Sequence, residues 1–399
     1  MNVSFEDRID RIRSGTHAVI DLDAYASNID VLRSIVGDDV ALMAVVKADG
    51  YGHGAIECGR AAIDAGALML GVARVQEALY LRRAGLDCQI VLIGPPAIGD
   101  IPDALRHDIT LSIGSQMAVD GVVAAVEAGL SARVHVKVDT GMNRYGFTPD
   151  NVCNAVEALA SHPRVTVEGV FTHFSSADEL DHAPTDVQVE RFQSAVDQLE
   201  ARGLRPQYVH TSNSAAILTG RSSGTNLVRS GIATYGLSPS DEVDVDSRFK
   251  PVLSIHSVVA RRGTLHPGEG VSYGRTYIAN GDEPIASVPV GYADGLPRRL
   301  RNQGWFVIEG ERAPIRGSVC MDQTVASVVG SVAEGSEVLV LGSGASGEMT
   351  FDLIAAMIGT VNYEVATRMM ARVPRVYMRS GNPIAWELIL TGERGSRGW

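Results

Sequence analysis

The sequence predicts an α/β chain: a (β/α)8 barrel in its N-terminal part and a mostly β domain after it. Three observations carry this. Between about residues 40 and 230, short β-branched apolar runs alternate with amphipathic stretches, the pattern of parallel strands joined by helices. Eight such runs occur, and no glycine-rich phosphate fingerprint opens the series, as a doubly wound dinucleotide-binding sheet would require. After about residue 251 the texture changes to short strands separated by Gly, Pro and charged turns.

Taken in order, the run from His17 to Leu22 is one strand more than the barrel holds, so it is expected to pair with the C-terminal domain. Asp23 is the expected N-cap of a helix over 24–35. The barrel strands are expected at 41–47, 68–73, 89–93, 109–113, 133–138, 165–172, 208–211 and 226–229. Helices are expected between them, over 74–84, 116–128, 151–161 and 185–202. The charged stretch 241–250 marks the boundary between a barrel domain, 1–245, and a β-rich domain, 246–399. In the latter, strands are expected at 253–260, 285–289, 305–308 and 337–341, interrupted by a helix over 351–358 with Thr350 as N-cap. Gly342-Ser343-Gly344-Ala345-Ser346-Gly347 fits G-x-G-x-x-G, but too little chain follows it to build a dinucleotide-binding half-domain. It reads as a surface turn.

At 45% hydrophobic and 21% charged residues, the composition is that of a globular chain rather than a disordered one. A net charge of −12, with no basic run, points away from nucleic acid. Cys58, Cys88, Cys153 and Cys320 are far apart and form no C-x-x-C pair, which favours free thiols over disulfides or a metal site. The polar start of the chain shows no apolar signal segment, and no stretch reaches membrane-spanning length. A cytoplasmic protein is expected.

The chemistry starts at Lys47, at the end of the apolar run from Ala41 and directly before Ala48-Asp49-Gly50-Tyr51-Gly52-His53-Gly54. Burial is costly for an amine, lowers its pKa, and leaves a nucleophile able to form Schiff bases with carbonyls. The glycines suit a loop that lets a ligand approach the backbone. In a barrel, reactive groups project from the C-terminal ends of strands. Lys47, Arg74, Lys137, His173, Asn213, Ser214 and Arg229 all fall at such ends, with Gly231 and Ile232 just beyond. Taken singly, Arg74 reads as a surface arginine at a helix start, while His173 also fits a hydrogen-bonded core histidine and Ser214 a helix cap. The turns after the last two strands are where barrels commonly bind phosphate.

Blocks in order along nearly the whole chain carry a resemblance. They are the lysine segment, 135–144, 171–174, 210–215, 228–237, 271–274, 290–295, 320–323 and Asn362-Tyr363-Glu364. With them the sequence resembles the alanine racemase family. The resemblance implies pyridoxal 5'-phosphate held covalently by Lys47, with Tyr51, Ser214, Gly231, Ile232 and Tyr363 at or beside its phosphate. It implies His173 and Asn213 near the ring, and Arg229 facing the pyridine nitrogen. An arginine keeps its proton, so the ring nitrogen stays an acceptor and the ring a weak electron sink, which favours racemisation over decarboxylation.

Two bases are then implied, Lys47 and Tyr273, the tyrosine coming from the other subunit of a homodimer. A phenol near its ordinary pKa of about 10 is a poor base, so nearby cations must lower it. Arg144 and the Met321 backbone N–H resemble carboxylate anchors, Tyr292 an entrance residue, and Lys137 a position that is carbamylated to orient Arg144. Asn143, Tyr145 and Thr211-Ser212 depart from the commonest family pattern and bear on substrate breadth. The retained Tyr363 and Met321 imply a tight site, so alanine is the expected substrate and D-alanine for peptidoglycan the expected product. The alternatives are a racemase of serine or a lysine-like amino acid, and a non-catalytic cofactor-carrier barrel. The second domain weighs against the carrier.

Overall fold

The computed structural model describes residues 3–222, 224–343 and 347–397. The chain divides into two compact units, one comprising Ala26–Tyr51 and Cys58–Phe249. The other takes Lys250 onward together with the segment before Ala26 and the short piece Gly52–Glu57.

The first unit is a parallel barrel. Strands Ala41–Val45, Met69–Val72, Gln89–Leu92, Ile109–Ile113, Ala132–Lys137, Val165–Phe171, Tyr208–His210 and Leu227–Ser230 follow one another around it. The last returns beside the first, with Ala41 opposite Leu227 and Ala44 opposite Ser230. Most residues of these strands are buried, as expected where helices cover one face and side chains fill the other. Met43, Met69, Val91 and Leu227 pack as one such cluster. The seam between Tyr208–His210 and Leu227–Ser230 is stitched by Asn226, whose N–H donates to Val209 O at 3.1 Å. Its side-chain oxygen accepts from Val209 N at 2.8 Å.

The ladder of the first barrel strand stops at Val45, not at Lys47, because the chain turns left-handed from Ala48. One irregularity interrupts the parallel register: Val134 faces Val167, but His135 faces Gly169, leaving Glu168 as an extra, bulged residue.

The second unit is built on a mixed sheet. His17–Asp21 lies between Leu253–Val258, antiparallel to it, and Arg375–Arg379, parallel to it. The helix that follows, Leu22–Val36, is capped by Asp21 rather than Asp23. The Asp21 carboxylate accepts from Asp23 N at 3.0 Å and Ala24 N at 2.9 Å, because the strand ends there and turns it toward the free N–H groups. The strand expected at 253–260 ends at Val258, and a further strand beyond it, Arg261–Leu265, joins Glu283–Val288 and Thr324–Ser327 in a separate sheet. Thr350 caps the helix Phe351–Ile358 by accepting from Leu353 N at 3.1 Å. A further short helix, Asn362–Thr367, has no side-chain cap and left no signal in the sequence. The glycine-rich segment 342–347 lies partly outside the described residues. Among the described residues, no helix is long and apolar enough to cross a membrane.

Candidate active site

At the C-terminal ends of the barrel strands lies a cavity of about 470 Å³ lined by Lys47, Arg74, Lys137, Arg144, His173 and Arg229, with Tyr145 and Phe171. No aspartate or glutamate is among its lining residues. Such a lining selects an anion.

Lys47 owes its position to unusual backbone. Ala48, Asp49, Gly50 and Tyr51 have φ of 52°, 54°, 61° and 53°, a full left-handed turn in which only one residue is glycine. Left-handed backbone costs a residue with a Cβ about 1–2 kcal/mol, so something must hold it. Glu77, on the helix Val75–Arg83, accepts from Ala48 N at 2.6 Å with one oxygen. Its other oxygen accepts from Ala73 N at 2.8 Å and Arg74 N at 3.0 Å. Burial, then the Arg144 charge, lowers the pKa of the Lys47 amine, with Glu77 opposing them. The ammonium stands 5.8 Å from the centre of the Tyr51 ring.

Arg229 is 3% exposed and donates to neutral partners only. Its guanidinium reaches Thr172 O and Thr211 O at 2.8 Å, His210 Nδ1 at 2.9 Å and His173 Nδ1 at 3.2 Å. An arginine only donates, so both nitrogens are acceptors and carry no hydrogen. Burial first and the Arg229 charge second hold His173 and His210 far below the ordinary histidine range.

Lys137 is 1% exposed, and burial followed by Arg229 pushes its amine down to about 8. The loop after it presents Arg144. Asp139 accepts from Gly141 N at 3.1 Å and Asn143 N at 3.0 Å, and from Arg144 N at 3.1 Å. Asn143 takes φ 54°, a conformation asparagine tolerates. The Tyr145 hydroxyl donates to Ile93 O and lies 3.1 Å from Ser112 Oγ, and burial pushes it up to about 12.

Tyr51, Ser214 and Gly231 meet at a second point. The Ser214 hydroxyl accepts from Gly231 N at 3.0 Å and Ala233 N at 3.3 Å. A Cβ on Gly231 would lie 2.4 Å from the Tyr51 hydroxyl, so the approach requires glycine. Ile232 opens the short 3-10 turn Ile232–Tyr235 beside it. The side chain of Asn213 is spent as a cap, accepting from Ala216 N at 2.9 Å.

Tyr273, Tyr292, Met321 and Tyr363 belong to the other unit. The first three are exposed, at 74%, 40% and 51%, on loops tied together. Ser318 Oγ donates to Tyr273 O at 2.9 Å, Tyr292 N to Cys320 O at 3.0 Å and Ala293 N to Met321 O at 3.1 Å. Ser272 carries φ 59° immediately before Tyr273, backbone strain of the kind found at functional loops. Arg372 clamps this region, bonding Asp294 and Asp322 at 2.6 Å each. Tyr363 sits half-buried in the helix Asn362–Thr367.

Glu77, Asp139 and His210 were not singled out from sequence. The signals existed: Glu77 stands three residues after Arg74, the spacing of a capping box, and Asp139 precedes a glycine turn.

The family model for the alanine racemase N-terminal domain matches residues 20–239, and that for the alanine racemase C-terminal domain matches residues 252–377. An alanine racemase of Thermobifida fusca strain YX is 42% identical over 369 residues, covering 91% of this chain and 98% of the relative. One from Desulforamulus reducens is 41% identical over 90% of this chain and 98% of its own length. The crystal structure of alanine racemase from Bacillus anthracis with bound L-Ala-P superposes with a TM-score of 0.88 at 36% identity, covering 94% of this chain and 98% of that one. Two family models spanning both units, and relatives aligned over nine-tenths of the sequence, establish that the chain belongs to the alanine racemase family and is an amino-acid-racemising isomerase.

Proposed function

We propose that the chain interconverts L- and D-alanine with pyridoxal 5'-phosphate by a two-base mechanism. The observation that carries this reading is the cation-rich, carboxylate-free cavity with a depressed-pKa lysine at its wall. The donor set fits the cofactor: an amine for its carbonyl, arginine at the ring, and Ser214, Tyr51 and the N–H groups around Gly231 for its phosphate. When bound, the cofactor draws electron density from the substrate Cα and so acidifies its hydrogen.

The protein's own groups do the rest. The Lys47 amine, eased toward neutrality by burial, moves the proton on one face of Cα. The hydroxyl of Tyr273, reaching in from the second subunit of a homodimer, moves it on the other. Arg144, fixed by Asp139, and the Met321 N–H take the substrate carboxylate, and Tyr292 stands at the entrance. Tyr273, Tyr292 and Met321, exposed together on linked loops, support a surface completed by another copy. The relatives' named activity supports alanine as substrate; supply of D-alanine for peptidoglycan, made in the cytoplasm, is the role proposed with it.

Deuterium wash-in at Cα with chiral analysis tests the mechanism. Tyr273→Phe is expected to lower kcat for racemisation by about 10²–10⁴-fold, while solvent exchange persists from one enantiomer only. Unchanged racemisation would remove Tyr273 as a base. Equal or faster turnover of L-serine or L-lysine by the wild type would overturn alanine as the preferred substrate.

A further inference from the structure

Arg229 is a buried cation whose hydrogen-bond partners given above are all neutral, yet a chain of contacts leads from it through the barrel interior. Its Nη1 donates to His210 Nδ1, so the hydrogen of that ring sits on Nε2. His210 Nε2 lies 2.9 Å from His135 Nδ1 and must donate to it, which puts the His135 hydrogen on Nε2 in turn. His135 is 0% exposed, and its Nε2 has no hydrogen-bond partner. That orphaned N–H faces Glu168, whose nearer carboxylate oxygen is 4.0 Å away. This is about an ångström beyond a hydrogen bond, the distance Glu168 must move to accept it.

The backbone is shaped for this approach. Glu168 is the bulged residue between Val167 and Gly169, and bulges re-aim side chains. Next to it, a Cβ on Gly169 would lie 2.6 Å from His135 Nδ1, so glycine makes room for the ring. The ring of His210 stacks on Phe171, with centroids 4.7 Å apart and planes 7° from parallel, which fixes its orientation. Burial first, then Arg229, pushes His135 down to about 3, so the ring is neutral and passes polarity without carrying charge. The same Glu168 oxygen accepts from Gln89 Nε2 at 2.7 Å, and the other oxygen is neighboured by Arg133 Nε at 3.9 Å.

We propose that Glu168 is a positioning residue for Arg229. It is the terminal acceptor of a one-way chain, Arg229 to His210 to His135 to Glu168, that sets which imidazole nitrogens carry hydrogen and holds the guanidinium in the cavity. A donor-only group at one end and an acceptor-only group at the other leave a single arrangement between them. The proposal rests on Arg229 acting at the cofactor ring as described above.

The test uses holoenzyme with ¹⁵N-labelled histidine. In the wild type, His135 and His210 are expected to carry hydrogen on Nε2 and a bare Nδ1. In Glu168→Gln, both sets of imidazole signals are expected to change, with kcat for L-alanine down about tenfold and KM within about twofold. Arg133→Gln, which removes the other charge beside Glu168 but leaves the chain, is expected to retain wild-type signals and kcat. A wild-type His135 with a bare Nε2 overturns the proposal without any variant, so a misfolded Glu168→Gln protein does not protect it. So does a Glu168→Gln enzyme with wild-type imidazole signals, or with kcat within about twofold of normal. The signals are read in the resting protein, so they report on the chain whether or not Lys47 and Tyr273 prove to be the two bases.

Discussion

Single residues in this barrel are held in states that water would not favour. His135, His173 and His210 are all kept neutral, chiefly by burial and then by the charge of Arg229. In the unfolded chain each returns to its ordinary pKa of about 6.5. Below that pH the unfolded state binds protons that the folded state refuses, so stability falls as pH drops from about 6.5 toward 3, where His135 itself titrates. The loss should approach roughly 1 kcal/mol per pH unit for each histidine. Denaturant midpoints measured at about pH 7.5 and 5.5 should show it, and His135→Gln should flatten the dependence. A flat wild-type profile across that window would contradict the assignment.

Among secondary elements, the helix Val75–Arg83 does more than cover the barrel. Through Glu77 it fixes the left-handed turn behind Lys47 and the loop leading into its own first turn. Glu77→Ala leaves three N–H groups without their acceptor and is expected to cost about 1–3 kcal/mol, with Glu77→Gln costing less. Equilibrium unfolding checks both, and an unchanged Glu77→Ala midpoint would show the turn to be self-supporting. The barrel strands themselves were legible to within a residue or two, because β-branched runs and turn residues mark them locally. Lys47, Lys137, His173 and Arg229 were legible because barrel geometry sends strand ends to one mouth. The left-handed turn was not, since Ala48 and Tyr51 have no local preference for it; the Glu77 bond to Ala48 N supports it from the neighbouring helix. Glu168 was hidden for a related reason. A bulge changes which way a strand residue points, and alternation along 165–172 cannot show where one residue is extra.

At the scale of the molecule, the proposal that Tyr273 of a second copy completes the site makes a prediction no monomer shares. Lys47→Ala and Tyr273→Phe subunits, each inactive alone, should regain activity when unfolded together and reassembled. Half of a statistical mixture is heterodimer, and each heterodimer has one intact site, so about a quarter of wild-type activity should return. No recovery in a mixture shown by mass spectrometry to contain heterodimers would place both groups in one subunit.

The cavity lining has a consequence for the life of the chain before any turnover. Lys47, Lys137, Arg144 and Arg229 crowd about 470 Å³ with like charge and no acidic neighbour in the lining. Mutual repulsion makes the anion-free barrel the weaker form, and a bound anion adds stability by mass action, as RT ln(1 + [L]/Kd). Proteases sample the unfolded fraction. The steady-state abundance of this protein is therefore expected to rise with the supply of the anion that the proposed site takes, at unchanged transcription.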